Sequence, residues 1–338
     1  GASQAEITGD GRLEFLFDMN VREAVTLNMV GGSVDLDGGQ SFIQNEHDIL
    51  APMTINATTF DSFGTSTGGG GSDTLFVDSL SAGAVGSLTV NIGEPTNAWT
   101  VNQAGLLVLQ NNNSTQVLLA GSDVNVHGTL NVTGSVSTTA RIDLGPTGVV
   151  NLSGPSDQLL LAGGSFVTNE PNTIQGATIQ GPGRLTVQDQ KSLFGFGTIN
   201  TSVNNLGFSA LRADNGTLTI NGPILNAPDL GTNDVDGVLN IPAAWNSGVT
   251  LGVILRGGIL QGGTITNEVT IQGSGLVSSR VINNERLLAT GGTGTLLVQT
   301  AGNDNDWDGT AGDGILQASP GDTLELRDNT TFAFTGVV

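Results

Sequence analysis

Short runs in which every second residue is apolar recur along this chain, and a glycine precedes each one. The unit is Gly-x-apolar-x-apolar. It reads Gly32-Ser-Val-Asp-Leu, Gly86-Ser-Leu-Thr-Val, Gly105-Leu-Leu-Val-Leu, Gly128-Thr-Leu-Asn-Val and Gly148-Val-Val-Asn-Leu in the first half. Gly183-Arg-Leu-Thr-Val, Gly216-Thr-Leu-Thr-Ile, Gly237-Val-Leu-Asn-Ile, Gly294-Thr-Leu-Leu-Val and Gly314-Ile-Leu-Gln-Ala complete the set. Alternation of period two puts the apolar residues of a strand on one face. Leu130 and Val132 are therefore expected inward and Asn131 outward, and Val150, Leu152 and Asn151 repeat this 20 residues later. The glycine supplies a tight turn before each strand. No stretch carries a helical period.

Neighbouring modules lie 19 to 23 residues apart at 86 to 105, 105 to 128, 128 to 148, 216 to 237 and 294 to 314. A coil of that length stacks equivalent strands in parallel about 4.8 Å apart, which predicts a solenoid rather than a sandwich or propeller. The expected fold is all-β, a right-handed parallel β-helix with rungs of about 20 residues. The wider gaps 148 to 183 and 183 to 216 suggest rungs with insertions. A longer period lies over the short one. Gly195-Phe-Gly197-Thr-Ile199 through Asn205 matches Gly273-Ser-Gly275-Leu-Val277 through Asn283 at an offset of 78, which also takes Leu218 to Leu296. An offset of 77 takes Val238-Leu239 to Ile315-Leu316. A block of about four rungs, 195–251, thus reads as copied at 273–327.

Residues 86–338 form the expected repeat body. Residues 1–85 are less regular and are expected to be a β cap or a strand-exchange region, with the Gly-rich loop Thr65 to Ser72 as a flexible element. A solenoid end polymerises unless something covers it. The final stretch, Thr331 to Thr335, is itself strand-like, so the sequence reads as a portion of a longer product.

Composition sharpens the picture. The 338 residues include 51 Gly, no Cys, no Tyr, 10 Lys+Arg (Lys191 the one lysine) and a formal net charge of −21. Few charges with many Gly, Asn, Thr and Ser favour short strands and frequent turns over a charged disordered chain. No basic stripe exists to neutralise phosphates, which argues against nucleic acid, and no apolar run is long enough for direct membrane insertion. The expected location is extracellular, on a cell surface.

The motif Gly195-x-Gly197-x-Ile199-x-x-x-Val203-x-Asn205-x-Gly207, followed by Gly216-Thr-Leu-Thr-Ile, resembles repeats in autotransporter-like passengers and related large secreted bacterial β-helix proteins. The resemblance covers about residues 85–330. It implies a β-helix and secretion, and it carries no catalytic residue.

Chemistry is sparse. The two histidines are His47, read as part of a solvated loop, and His127, read as outward on a strand; neither has a nucleophile to serve. Acidic residues are read as scattered in turns, and Trp99, Trp245 and Trp307 are the only tryptophan platforms for sugar. One motif rises above this background. Asp304-Asn-Asp306-Trp-Asp308-Gly309 matches the opening of an EF-hand-type loop, in which alternate carboxylates converge on a hard cation and glycine permits the sharp turn. Thr310 and Asp313 extend the candidate calcium set, although Ile315 stands where the bidentate Glu belongs. Asp234 and Asp236, in Asn233-Asp-Val-Asp-Gly237, form a weaker version.

The expected function is a non-enzymatic structural protein that assembles with itself into a filament or surface layer through its ends or by strand exchange. A monomeric adhesin or passenger stalk contacting surface glycans is one alternative, and a polysaccharide-active β-helix enzyme is another.

Overall fold

The computed structural model describes residues 4–9, 12–14, 20–21, 24–35, 45–49, 52–61, 72–77, 87–92, 98–101, 106–111, 117–121, 123–126, 129–138, 141–164, 171–226, 229–300, 305–307 and 314–327, with side chains mainly from Arg141 onward. Among these residues the regular structure is β-strand, apart from one 3-10 turn at Ser247–Val249. The chain forms two compact units, Gly1–Lys191 and Ser192–Val338.

In the first unit every strand pairing among the described residues is parallel, and each pass of the chain visits three ladders in turn. The first ladder stacks Gln4–Thr8, Ala24–Asp35, Pro52–Asp61, Ser87–Ile92, Val117–Gly121, Ser135–Thr138, Gln158–Leu161 and Arg184–Val187. The second begins at Arg12–Glu14 and runs through Ser33 to Asp35, Thr59 to Asp61, Ala98–Val101, Asp123–Val126 and Arg141–Leu144 to Thr173. The third stacks Asn20–Val21, Asn45–Ile49, Ser72–Val77, Leu106–Asn111, Thr129–Thr133, Val149–Leu152 and the end of Asn172–Gln180. Parallel strands need a long crossover between them. Here the crossover for any one ladder is the pass through the other two, which makes the unit a parallel β-solenoid.

The second unit is built on the same plan. One ladder joins Leu193, Leu211, Leu230, Val253, Ile271, Leu287 and Leu316 in register. Another joins Leu218, Leu239, Leu260, Val277, Val298 and Leu326. A third set of short strands comprises Ser202–Asn205 on Ile224–Asn226, and Trp245–Asn246 on Ile265–Asn267 on Val281–Asn283. The first six residues of the Leu193 ladder and the first five of the Leu218 ladder are fully buried. Each such side chain contributes roughly 1.5–3 kcal/mol on burial. The core is therefore a pile of aliphatic layers, one per turn.

This architecture accounts for the copied block. Leu193 and Ile271 are four register steps and 78 residues apart, so the sequence offset equals four turns of the solenoid. Gly195, Gly197, Gly273 and Gly275 all sit at positive φ, between 122° and 145°. At Gly273 a Cβ would lie 1.9 Å from the Leu255 carbonyl oxygen of the turn below. The repeated glycines let the chain round a corner where the preceding turn leaves no room for a side chain.

Several sequence-based expectations need adjusting. Turns are not uniformly 20 residues: one step takes 20 (Gln4 to Ala24), another 35 (Pro52 to Ser87), another 16 (Ile271 to Leu287). Modules that look consecutive are not always stacked. Gly105, Gly128 and Gly148 do head strands of one ladder, but the strand after Gly86 belongs to another. The strand after Gly294 stacks under Thr323–Leu326, whereas that after Gly314 stacks on Arg286–Ala289. The 77-residue match of Leu239 to Leu316 likewise joins two different ladders. With three strands per turn and insertions at the corners, a module one coil-length on can land on a different sheet.

The region 1–85, assigned above to a cap or exchange element, contributes strands to all three ladders of the first unit, and the compact units divide at Lys191 and Ser192. His47 lies within strand Asn45–Ile49, in register with Leu75, rather than in a loop. The acidic residues are not all confined to turns either. Glu14, Asp35 and Asp61 are register partners on consecutive turns, and their column continues through Thr100, Asn125, Asp143 and Thr173.

Candidate functional site

The inward alternation contains polar residues as well as aliphatic ones. Asn267 and Asn283 stand in register, two residues after the buried Ile265 and Val281, and are themselves fully buried. Burying an amide is unfavourable unless its donors and acceptor are used. They are used here, one turn to the next. The Ser247 hydroxyl donates to Asn267 Oδ1 at 3.1 Å, and Asn267 Nδ2 donates to Asn283 Oδ1 at 2.7 Å and to the Arg286 carbonyl at 3.3 Å. Asn283 Nδ2 then donates to the carbonyls of Trp307 and Ile315, at 3.4 Å each.

That last pair of bonds shapes the acidic segment. Trp307 and Ile315 lie eight residues apart in sequence, and one amide bonds the carbonyls of both. Trp307 is buried, and Asn305 is buried beside it, its Oδ1 accepting the Val281 N–H at 2.7 Å. Between them Asp306 bridges to the strand below, donating its N–H to Val281 O at 2.9 Å and accepting from Asn283 N at 2.7 Å. At Gly314 a Cβ would fall 2.1 Å from the Trp307 carbonyl oxygen and 2.3 Å from that of Asn283. Only glycine lets the outgoing strand return this close to the incoming one. Trp307 and the strand that begins after Gly314 are therefore held together by burial of Trp307, by the Asn283 amide and by the absence of a side chain at Gly314.

Of the candidate calcium ligands, Asp306 is half-buried at the foot of this loop, while Asp304, Asp308, Thr310 and Asp313 lie outside the described residues. The second candidate pair is described in full. Both oxygens of Asp234 accept from the Asn215 N–H, at 3.1 and 3.3 Å, which caps a corner where Asn215 has φ 54°. Asp236 is exposed. Among the described residues, no group of three or more acidic or histidine side chains is placed to hold a metal ion. His127 also lies outside the described residues.

One buried charge cluster was not anticipated from sequence. Arg212 is buried, pairs through Nη2 with Asp229 Oδ2, and lies 5.7 Å from the ring centroid of Phe194, its register partner on the previous turn. Arg212 Nε and Asp229 Oδ1 have no hydrogen-bond partner. Burial, and then the nearby Arg212 guanidinium, lower the pKa of Arg256, while Asp229 acts to raise it. Asp229 is thus paired with Arg212, while Arg256 bonds through Nη1 to Asn233 Oδ1 at 3.5 Å. A period-two reading places Arg212 on the outer face, where an arginine is expected to be solvated; only neighbouring turns bury it.

The final turn differs from those below it. Ile315–Ala318 and Thr323–Leu326 each pair on one side only among the described residues. The core ladders lose their cover at the same level. Ile315 is exposed, and Leu316, Leu324 and Leu326 are partly exposed, although their partners Leu287, Leu296 and Val298 are fully buried. In the first unit, Gln4–Thr8 has a partner strand on one side only among the described residues, and Ile7 is exposed. No known protein family, curated protein or solved structure matches this chain.

Proposed function

We propose that this chain is an extracellular structural protein whose solenoid ends join one copy to the next, giving a filament or surface layer. The observation that supports this reading is that the parallel ladders reach strands, Ile315–Ala318 and Thr323–Leu326, that pair on one side only among the described residues. Such an edge is a template for another strand. In head-to-tail stacking, the Ile315–Ala318 and Thr323–Leu326 edge of one copy pairs with a strand of the next and continues the ladders in parallel. A contact of that kind is heterologous and does not close, which produces fibres rather than dimers. The coil itself is read as right-handed, because crossovers between parallel strands are right-handed in about 98% of cases.

In this reading the 304–313 segment takes calcium through Asp304, Asp306, Asp308, Thr310 and Asp313. The cation stiffens the neighbouring edge. The test is negative-stain microscopy with light scattering on the chain and on Ile315→Lys combined with Leu324→Lys. Fibres are expected from the parent and none from the variant, with the circular dichroism spectrum retained. A monodisperse rod at high concentration sinks the filament reading in favour of a stalk.

A further inference from the structure

The sequence Val203-Asn-Asn205 recurs as Ile224-Leu-Asn226, Ile265-Thr-Asn267 and Val281-Ile-Asn283, each time on a strand of the third set. An asparagine two residues after an inward β-branched residue is expected to point inward too. Asn205, Asn267 and Asn283 follow that rule and are fully buried, and Ser247, which donates to Asn267 from the turn before, is buried as well. Asn226 breaks the rule and is exposed. The pairing shows how. Val203 stands opposite Ile224, but Asn204 stands opposite Asn226, so Leu225 is an extra residue in the later strand and is 52% exposed. A bulge of this kind turns the side chain after it away from the face that its parity assigns.

The bulge leaves a deficit on the neighbouring turn. Asn205 is fully buried, and neither its Oδ1 nor its Nδ2 has a hydrogen-bond partner. Asn267 and Asn283, by contrast, bond to each other at 2.7 Å. A buried amide is normally satisfied, so one orphaned at both atoms calls for a missing partner. Removing the bulge supplies it. Leu225 then stands opposite Asn204 and Asn226 opposite Asn205, where Asn205 Nδ2 can donate to Asn226 Oδ1 as Asn267 Nδ2 does to Asn283 Oδ1. The next acceptor in line is Ser247 Oγ, whose own proton is directed at Asn267. All donors would then run one way, from Asn205 to the carbonyls of Trp307 and Ile315. With the bulge in place that column is interrupted, because Trp245–Asn246 belongs to a separate ladder and has no pairing with Ile224–Asn226 among the described residues.

We propose that Ile224–Asn226 exchanges between two registers. In the outward one Leu225 forms the bulge and Asn226 faces solvent. In the inward one the strand pairs residue for residue with Ser202–Asn205, and Asn226 fills the gap in the amide column. Two opposed effects of similar size keep the registers close in free energy. The inward register satisfies Asn205 Nδ2 but takes a second amide out of water, whereas the outward register keeps Asn226 hydrated and leaves Asn205 unpaired. The segment is thus a conformational device that couples the turn of Asn205 to the later turns or releases it from them. The exchange takes place within one copy of the chain and is independent of end-to-end assembly.

The experiment is nuclear magnetic resonance on the full chain with asparagine-selective 15N labelling, which reads the side-chain amides, together with a soluble gadolinium chelate that broadens exposed ones. In the parent protein Asn226 is expected to show exchange, as two signals or as relaxation dispersion, with one state broadened by the chelate and the other protected. Asn205 is expected to exchange with the same populations, and Asn267 to stay in one protected state. Asn205→Ala removes the inward partner and is expected to abolish the protected state of Asn226. Deleting Leu225 makes the outward pairing regular and is expected to do the same while leaving the Asn205 amide in place. A single chelate-broadened Asn226 signal without dispersion in the parent overturns the proposal. So does exchange at Asn226 that persists unchanged in both variants.

Discussion

Replacing Asn283 with alanine removes an amide that is fully buried and bonded on both sides. Its Oδ1 accepts from Asn267 at 2.7 Å, and its Nδ2 reaches the carbonyls of Trp307 and Ile315 at 3.4 Å. The short bond is the larger loss. Asn267 keeps its longer bond to the Arg286 carbonyl at 3.3 Å but gives up its better acceptor, a cost of roughly 1–3 kcal/mol for a buried donor left poorly satisfied. The two longer bonds add about 0.5 kcal/mol each, at the bottom of the usual range for a hydrogen bond. The expected destabilisation is about 2–4 kcal/mol. Asn240→Ala, which loses one half-buried bond to Thr219 at 3.4 Å, is expected to cost only about 0.5 kcal/mol. Urea denaturation followed by circular dichroism compares the two, and a double-mutant cycle with Asn267→Ala isolates the coupling, expected above about 1 kcal/mol for directly bonded residues. Hydrogen exchange supplies an independent readout, because amides of 305–307 and 315–318 should open first when the base of the loop is released. Equal costs for Asn283 and Asn240, or a coupling near zero, refute the view that the amide column pins the acidic segment.

Three further outcomes follow from the same geometry. Gly273→Ala forces a Cβ to within 1.9 Å of the Leu255 carbonyl at φ 122°; a loss of at least ~3 kcal/mol is expected from combined strain and overpacking, measured by denaturation against Gly292→Ala, where nothing lies within 4 Å of the added atom. Because both glycines are at positive φ, the difference between them reports the steric clash alone. Asp229→Asn leaves the buried Arg212 guanidinium without its counter-charge beside Arg256 and is expected to cost about 3–5 kcal/mol, whereas a cost below that of an exposed aspartate such as Asp236→Asn contradicts the buried-pair reading. Calcium at about 100 times its Kd is expected to stabilise the second unit by about 2.7 kcal/mol, seen as a rise in Tm that Asp306→Asn with Asp308→Asn removes; a Tm unmoved by calcium or chelator refutes the calcium loop.

What the sequence determined by itself is the local rule of construction. Strand alternation needs only nearest neighbours, so Leu130, Val132, Val150 and Leu152 are inward as their pattern requires. The glycines before the strands and the 78-residue copy are likewise written in the chain, and the copy emerges as four turns from Leu193 to Ile271. Even the buried amides left a trace: Val203-x-Asn205 and Val281-x-Asn283 place asparagine at the inward parity, a signal that period-two reading contains once polar residues are allowed inside. What only the tertiary structure decided is which strand lies on which. An insertion at a corner changes the number of residues per turn without altering any strand's own pattern, so modules as alike as those after Gly294 and Gly314 fall in different ladders. Burial of Arg212, exposure of Phe208 and Leu251, and the joining of Trp307 to Ile315 by Asn283 depend on neighbouring turns. Those contacts join residues about 16 to 35 positions apart through backbone pairing, and no local periodicity encodes them.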